Sequence, residues 1–203
     1  MTVDATSLRE RQAQQVRVAV LEAVIAELEA RAADDVSMAD VARSAGISLR
    51  TLYRYFPDRS AVLHAAGEQL YGSLGVPFDI AGPEDISRSL LEAAGRLSAR
   101  PELARALVRS TAGRATRSAV RGQRVDAIGA ALKPVTDSMD VDTARWATAV
   151  IAHLCSAASW VIITDESGLD EGDAQQAVAW AIDTLISTLP HATRRPPRRL
   201  KSS

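Results

Sequence analysis

The chain has 203 residues, with 24 Lys and Arg against 25 Asp and Glu, for a formal net charge of −1. That length suits a small module joined to a larger one, and the near-neutral balance excludes a general polycation, so any nucleic-acid contact must be concentrated on one face. Apolar residues make up 47% and aromatics only 4%, with Ala, Leu and Val prominent, so an all-α fold is the first expectation.

Residues 8–33 carry a helical pattern without Gly or Pro, in which Val16, Val20, Val24 and Leu28 recur every fourth position. Asp34 and Asp35 interrupt it. Ser37 is a suitable N-cap for a short second helix to about Ala45, and Gly46 ends that helix where left-handed backbone is easy. Ser48 caps a third helix through Tyr55 or Phe56, which Pro57 stops. Asp58 or Ser60 opens a fourth helix carrying Leu63, Ala66, Leu70 and Leu74. Residues 72–83 gather Gly and Pro, and this is the best internal boundary. Beyond it the pattern predicts helices over 84–98, 101–111, 115–132, 142–164 and 170–189, with Pro101 at a helix start and Pro134 closing a helix. Nothing alternates with the period of a strand. The tail 191–203 holds Arg194, Arg195, Arg198, Arg199 and Lys201 without an acid, and is expected to be disordered.

Cys155 is the only cysteine, which excludes an intramolecular disulfide and a cysteine metal cluster. Its neighbours read as a buried helix, so a packing role is expected rather than a catalytic thiol. His64, His153 and His191 are scattered, and no glycine-rich phosphate loop or nucleophile elbow is present. The expectation is therefore no enzyme, no metal and no cofactor. Residues 1–11 hold no apolar signal core. The most apolar stretch, 147–164, falls short of the ~20 residues that a spanning helix needs. A soluble, cytoplasmic protein with no membrane partner is expected.

Residues 37–56 carry the most specific geometry. Two short helices that cross through a tight turn need a small residue where they approach and a turn residue that accepts positive φ. Ala42 and Gly46 meet those needs at a spacing of four. Val41, Ala45, Ile47, Leu52 and Tyr55 fall at interior positions, which leaves Ser48, Leu49, Arg50, Thr51 and Arg54 to face outward. A helix of this kind enters the major groove by its N-terminal end. Between Arg43 and Arg59 the face carries Arg43, Arg50, Arg54 and Arg59 against Asp58 alone.

The run SMADVARSAGISLRTLYRYFPDRSAVL over 37–63 resembles the DNA-binding domain of the tetracycline-repressor (TetR) family, with AGIS at 45–48 and TLYRYFPDR at 51–59 its most specific parts. The resemblance covers about residues 8 to 64. It implies DNA contacts from Thr51, Tyr53 and Tyr55, mostly to phosphate, and a phosphate contact from Ser37. Arg59 stands where the family usually has Lys, so phosphate clamping is expected to survive. Leu49 and Arg50 fall at the variable base-reading positions. Arg50, where many relatives have a small residue, is the best candidate for a base contact, a phosphate contact being its alternative. Ser48 and Arg54 complete the DNA-facing set, with plain solvation the alternative for Arg54. Phe56 reads as core, and Tyr53 as a phosphate contact with core as its alternative.

The expected organisation is a three-helix DNA-binding module with a helix-turn-helix over 8–58, a larger helical effector-binding and dimerisation domain over 59–190, and the basic tail. The resemblance implies a ligand pocket among the middle helices and a homodimer made by the last two. The apolar 142–164 segment and the stripe Val178, Ile182, Leu185 and Leu189 support the dimer independently. Leu91, Leu97, Leu107, Val108, Ile128, Trp146, His153 and Trp160 are candidate pocket residues, with ordinary core as the alternative. The functional expectation is a homodimeric repressor released from a palindromic operator by a small hydrophobic or amphipathic effector. A transcriptional activator or a ligand-independent regulator of the same fold is the alternative, with a helical enzyme or an architectural DNA-binding protein further off.

Overall fold

A computed structural model describes residues 3–31, 35–75 and 80–189, with side chains from Leu8 onward. The basic tail and Asp34 lie outside the described residues. These residues are mostly helical, and no strand occurs among them. The order is α1 (Val3–Arg31), α2 (Met38–Ser44), α3 (Leu49–Tyr55), α4 (Arg59–Ser73), a 3-10 turn (Pro83–Asp85), α5 (Ile86–Ser98), α6 (Pro101–Arg109), α7 (Thr111–Ser118), α8 (Arg121–Thr136), α9 (Val141–Leu154), α10 (Ala157–Ser167) and α11 (Glu171–Thr188).

The caps act as the side-chain chemistry requires. Ser37, Ser48 and Asp58 each take extended backbone and accept from the first-turn amides of α2, α3 and α4. Ser110, Asp140 and Asp170 do the same for α7, α9 and α11.

The described residues form two compact units, one up to residue 75 with 95–122 and one from 80–94 with 123–189. In the first, α1 packs on α4 and α6, and α7 packs on α4 and α6. Val20, Val24 and Leu28 of α1, Leu63 and Leu70 of α4 and Leu103 and Leu107 of α6 are its buried centre. A Cβ on Gly67 of α4 would stand 2.1 Å from the Thr116 carbonyl oxygen of α7, so this crossing requires glycine. Glu29 of α1 accepts from Arg100 just before α6 (Oε1 to Nε 3.1 Å), and these hydrogen bonds hold the Glu29 carboxyl below its ordinary range.

In the second unit α9, α10 and α11 pack on one another, with Ile151, Trp160, Val161, Val178 and Ile182 buried. Cys155 is half-buried, and burial pushes its thiol up to about 12 against a smaller opposing pull from Arg124. That environment suits packing and disfavours a reactive thiolate.

The structure corrects three helix expectations. The helix expected over 115–132 is two, because Ser110 starts α7 early and Ala119 N turns back three residues rather than four, to Thr116 O (3.2 Å), which ends it. Pro134 lies inside α8 rather than closing it. Its missing N–H leaves only the exposed Ala130 turn short of a bond, which water can supply. The apolar helix expected over 142–164 breaks at Ser156 into α9 and α10, which are bent by 65°. Ser156 N turns back to His153 O (2.9 Å) and Ser159 Oγ donates to the same carbonyl (2.8 Å), so serine chemistry competes with the helical ladder. No single helix among the described residues is long and apolar enough to cross a membrane.

Candidate nucleic-acid interface

The helix-turn-helix is built from three local facts. Ala42 is buried at the α2–α3 crossing, where Ile47 N reaches back to Ala42 O (2.9 Å). Gly46 takes φ +69 with open space around it, so its requirement is backbone conformation rather than room. Val41 and Leu52 are fully buried, while Ala45, Ile47 and Tyr55 are half-buried.

The outward face of α3 begins at its cap. Ser48 Oγ accepts from Thr51 N (3.0 Å) and shares a 2.8 Å hydrogen bond with Thr51 Oγ1. Leu49 and Tyr53 are each 40% exposed, and Arg50 and Arg54 project from the same short helix. Arg50 makes no ion pair among the described residues. Arg54 lies over the Tyr55 ring, 5.1 Å from its centroid. Ser37 is exposed at the start of α2, with its hydroxyl accepting from Ala39 N (3.2 Å). Phe56 is buried, as the sequence predicts.

The local basic charge is smaller than the residue count implies. Arg43 Nη1 is paired with Asp40 Oδ1 at 2.7 Å, and Asp40 Oδ2 also accepts from Arg31 at 2.8 Å. Arg59 Nη2 is paired with Asp35 Oδ1 at 2.8 Å. That leaves Arg50 and Arg54 as the cations of α3 whose charge meets solvent most directly.

Two contributors are not legible in the sequence. Arg17 of α1 stands in no motif, yet its Nη1 donates to Tyr55 O (3.1 Å) and its guanidinium lies 4.7 Å from the Phe56 ring centroid. It thereby pins the C-terminal end of α3 to the long helix. Asp35 reads as a helix breaker, and its three-way role appears only when distant segments meet.

The candidate pocket residues divide between the units. Leu97, Leu107 and Val108 are buried in the first. In the second, Ile128 and Trp160 are buried, Leu91 is half-buried, and Trp146 and His153 are exposed. The second unit also holds buried hydroxyls on Ser156 and Thr164 that have no hydrogen-bond partner among the described residues. On α11, Val178 and Ile182 are consumed by the unit's own core. The apolar groups this helix leaves outside are Trp180, 70% exposed, and Leu185, 37% exposed, and Trp180 was not singled out by the sequence pattern.

A short capped helix presented by a tight glycine turn, with a long helix bracing it, defines the helix-turn-helix class of DNA-binding proteins. Residues 20–66, which hold the helix-turn-helix, match the family described as bacterial regulatory proteins, tetR family. The fold is similar to the crystal structure of a TetR transcriptional regulator from Rhodococcus sp. RHA1, at a TM-score of 0.52 and 22% identity, over 86% of this chain and 98% of that one. A second crystal structure, assigned to the TetR family and from Rhodococcus sp., is similar at a TM-score of 0.55 and 22% identity, over 85% and 99% of the two chains. No curated protein matches the chain by sequence.

Proposed function

We propose that the chain is a homodimeric repressor that reads a palindromic operator with α3 and is released by a small hydrophobic or amphipathic effector. The observation that carries the reading is the α3 N-terminus: Ser48 caps it, Leu49 and Arg50 project from it, and Arg50 has no ion pair among the described residues. Arg50 is assigned a base contact, since arginine pairs bidentately with guanine. Ser37, Thr51, Tyr53, Tyr55 and Arg59 are assigned to phosphate and register, with Ser48 and Arg54 alongside.

Dimerisation is assigned to the helices that close the chain. Trp146 and Val150 of α9, Ile162 of α10, and Trp180 and Leu185 of α11 leave a large apolar area exposed, of the kind that a second copy covers. A two-fold dimer presents two α3 helices, which meet major-groove faces about 34 Å apart or at a multiple of that. The effector is assigned to the region 59–190, where the Ser156 and Thr164 hydroxyls, buried and without a partner among the described residues, offer polar groups in apolar surroundings. It releases DNA only to the extent that it binds the two conformations differently.

Selection of bound sequences from random duplex DNA tests the reading. The expected product is an inverted repeat with G·C pairs at symmetric positions. Recovery of no inverted repeat overturns it.

A further inference from the structure

A single oxygen of Asp35 gathers donors from separated parts of the first unit. Oδ1 accepts from its neighbour Val36 N (3.0 Å), from Arg59 Nη2 at the start of α4 (2.8 Å) and from Ala112 N in the first turn of α7 (3.1 Å). Arg59 Nη2 donates also to Val36 O at 3.3 Å. The Nε and Nη1 groups of Arg59 make no hydrogen bond among the described residues, and the side chain is 36% exposed. The guanidinium is thus tethered by one nitrogen and open at the other two.

The same carboxylate completes the cap of α7. Ser110 Oγ accepts from Gly113 N (2.8 Å), and Asp35, 77 residues away in sequence, takes the Ala112 amide. Farther along, α7 is pressed onto α4 at Gly67, where helix backbone meets helix backbone. The start of α4, which carries Arg59, and the start of α7 are therefore joined through Asp35 as well as through the crossing.

We infer that Asp35 is a positioning residue that restrains Arg59 and ties its availability for DNA phosphate to the placement of α7. This rests on the reading that Arg59 meets phosphate. The carboxylate fixes where the guanidinium points and offsets part of its charge. A phosphate arriving on the open side of Arg59 stands within a Debye length of the Asp35 carboxylate, so like-charge repulsion persists at about 0.1 M salt. Asp35 therefore holds binding to backbone phosphate below what Arg59 alone would give. Movement of α7 that draws Ala112 away, or presses it closer, changes how much of Oδ1 remains for the arginine.

The test uses the full chain, a fluorescein-labelled non-specific duplex of about 30 base pairs, and anisotropy titrations over a salt series. Asp35→Asn keeps an oxygen for Val36 N and Ala112 N and removes the charge. It is expected to bind about threefold tighter or better, with a steeper salt slope and a melting temperature near that of the parent chain. In the Arg59→Ala background the same change is expected to gain clearly less, because only the direct repulsion between carboxylate and phosphate is then relieved. Amide exchange at Ala112 reports the other arm: it accelerates in Asp35→Ala and stays near the parent rate in Asp35→Asn. If Arg59→Ala weakens binding while Asp35→Asn leaves affinity and slope unchanged, the inference falls and the phosphate role of Arg59 stands. If Arg59→Ala leaves binding unchanged, the phosphate role itself falls, and the inference with it. An equal gain from Asp35→Asn with and without Arg59 also overturns it, as does an unaltered Ala112 exchange rate in Asp35→Ala.

Discussion

Replacing Gly67 by alanine is the sharpest test of the packing argument, because helix propensity and sterics predict opposite signs. In an open helical position the change gains about 1 kcal/mol, since glycine is the poorer helix former by that amount. At Gly67 the new methyl carbon would lie 2.1 Å from Thr116 O, 2.7 Å from Ala119 Cβ and 3.0 Å from the Thr116 carbonyl carbon. Two of these neighbours are backbone atoms, which cannot swing aside as a side chain can, so α4 and α7 must separate by about an ångström. Overpacking of this kind costs ~3 kcal/mol at the upper end of its usual range. Offsetting the propensity gain leaves a net loss of ~2 kcal/mol, or a fall of about 4–8 °C in melting temperature for a chain of this size. Gly95 of α5 is the matched control, because nothing lies within 4 Å of its hypothetical Cβ. Thermal unfolding followed by circular dichroism at 222 nm should show Gly67→Ala melting lower and Gly95→Ala melting at or above the parent chain. Equal melting of the two variants would refute the claim that the α4–α7 crossing excludes a side chain.

Other perturbations separate the assigned roles. Arg50→Ala should relax preference at one symmetric pair of bases, at a cost of ~1–3 kcal/mol in discrimination, read by repeating the DNA selection; an unchanged consensus rejects its base-reading role. Trp180→Glu should turn a dimer into a monomer in sedimentation, since it places a charge on a side chain that is 70% exposed in the isolated chain; a persistent dimer moves the interface elsewhere. Cys155 gives a pH signature. An unfolded chain ionises its thiol from about 9.0, whereas the folded chain keeps the proton until about 12, so the folded state holds more protons in that window and stability falls as pH rises through it. The difference in denaturation midpoint between the parent and Cys155→Ala should follow that fall, and a flat difference argues against a buried, protonated thiol.

The parts of the fold that were legible in the sequence are those set by neighbours along the chain. Ser37, Gly46, Ser48 and Asp58 each act within a few residues of their own position, so the boundaries of α2, α3 and the start of α4 follow from cap and turn chemistry. The break at Ser156 was hidden because apolar periodicity runs straight through it, while the deciding hydrogen bonds belong to two serines that also suit a helix interior. Pro134 misled in the opposite direction, since a proline near a helix end can forfeit one bond to an exposed turn. The functional face shows the same limit. Counting arginines between Arg43 and Arg59 gives a strongly basic surface, but Asp40 and Asp35 come from outside that face and partner two of them. The α11 stripe was read correctly as apolar, and only packing reveals that Val178 and Ile182 face their own core while Trp180 faces out.

The contacts at α7 have a mechanical consequence. A hypothetical Cβ on Gly113 would meet Ala106 O at 1.9 Å, and one on Gly67 would meet Thr116 O at 2.1 Å, so α7 is gripped through main chain at both places. Side chains at an ordinary interface absorb a small push by changing rotamer, and the push dies there. Main chain has no rotamers to change. A displacement delivered to α6 or α7 therefore reaches α4 with less damping than side chains would give, which makes this joint a stiff coupling rod.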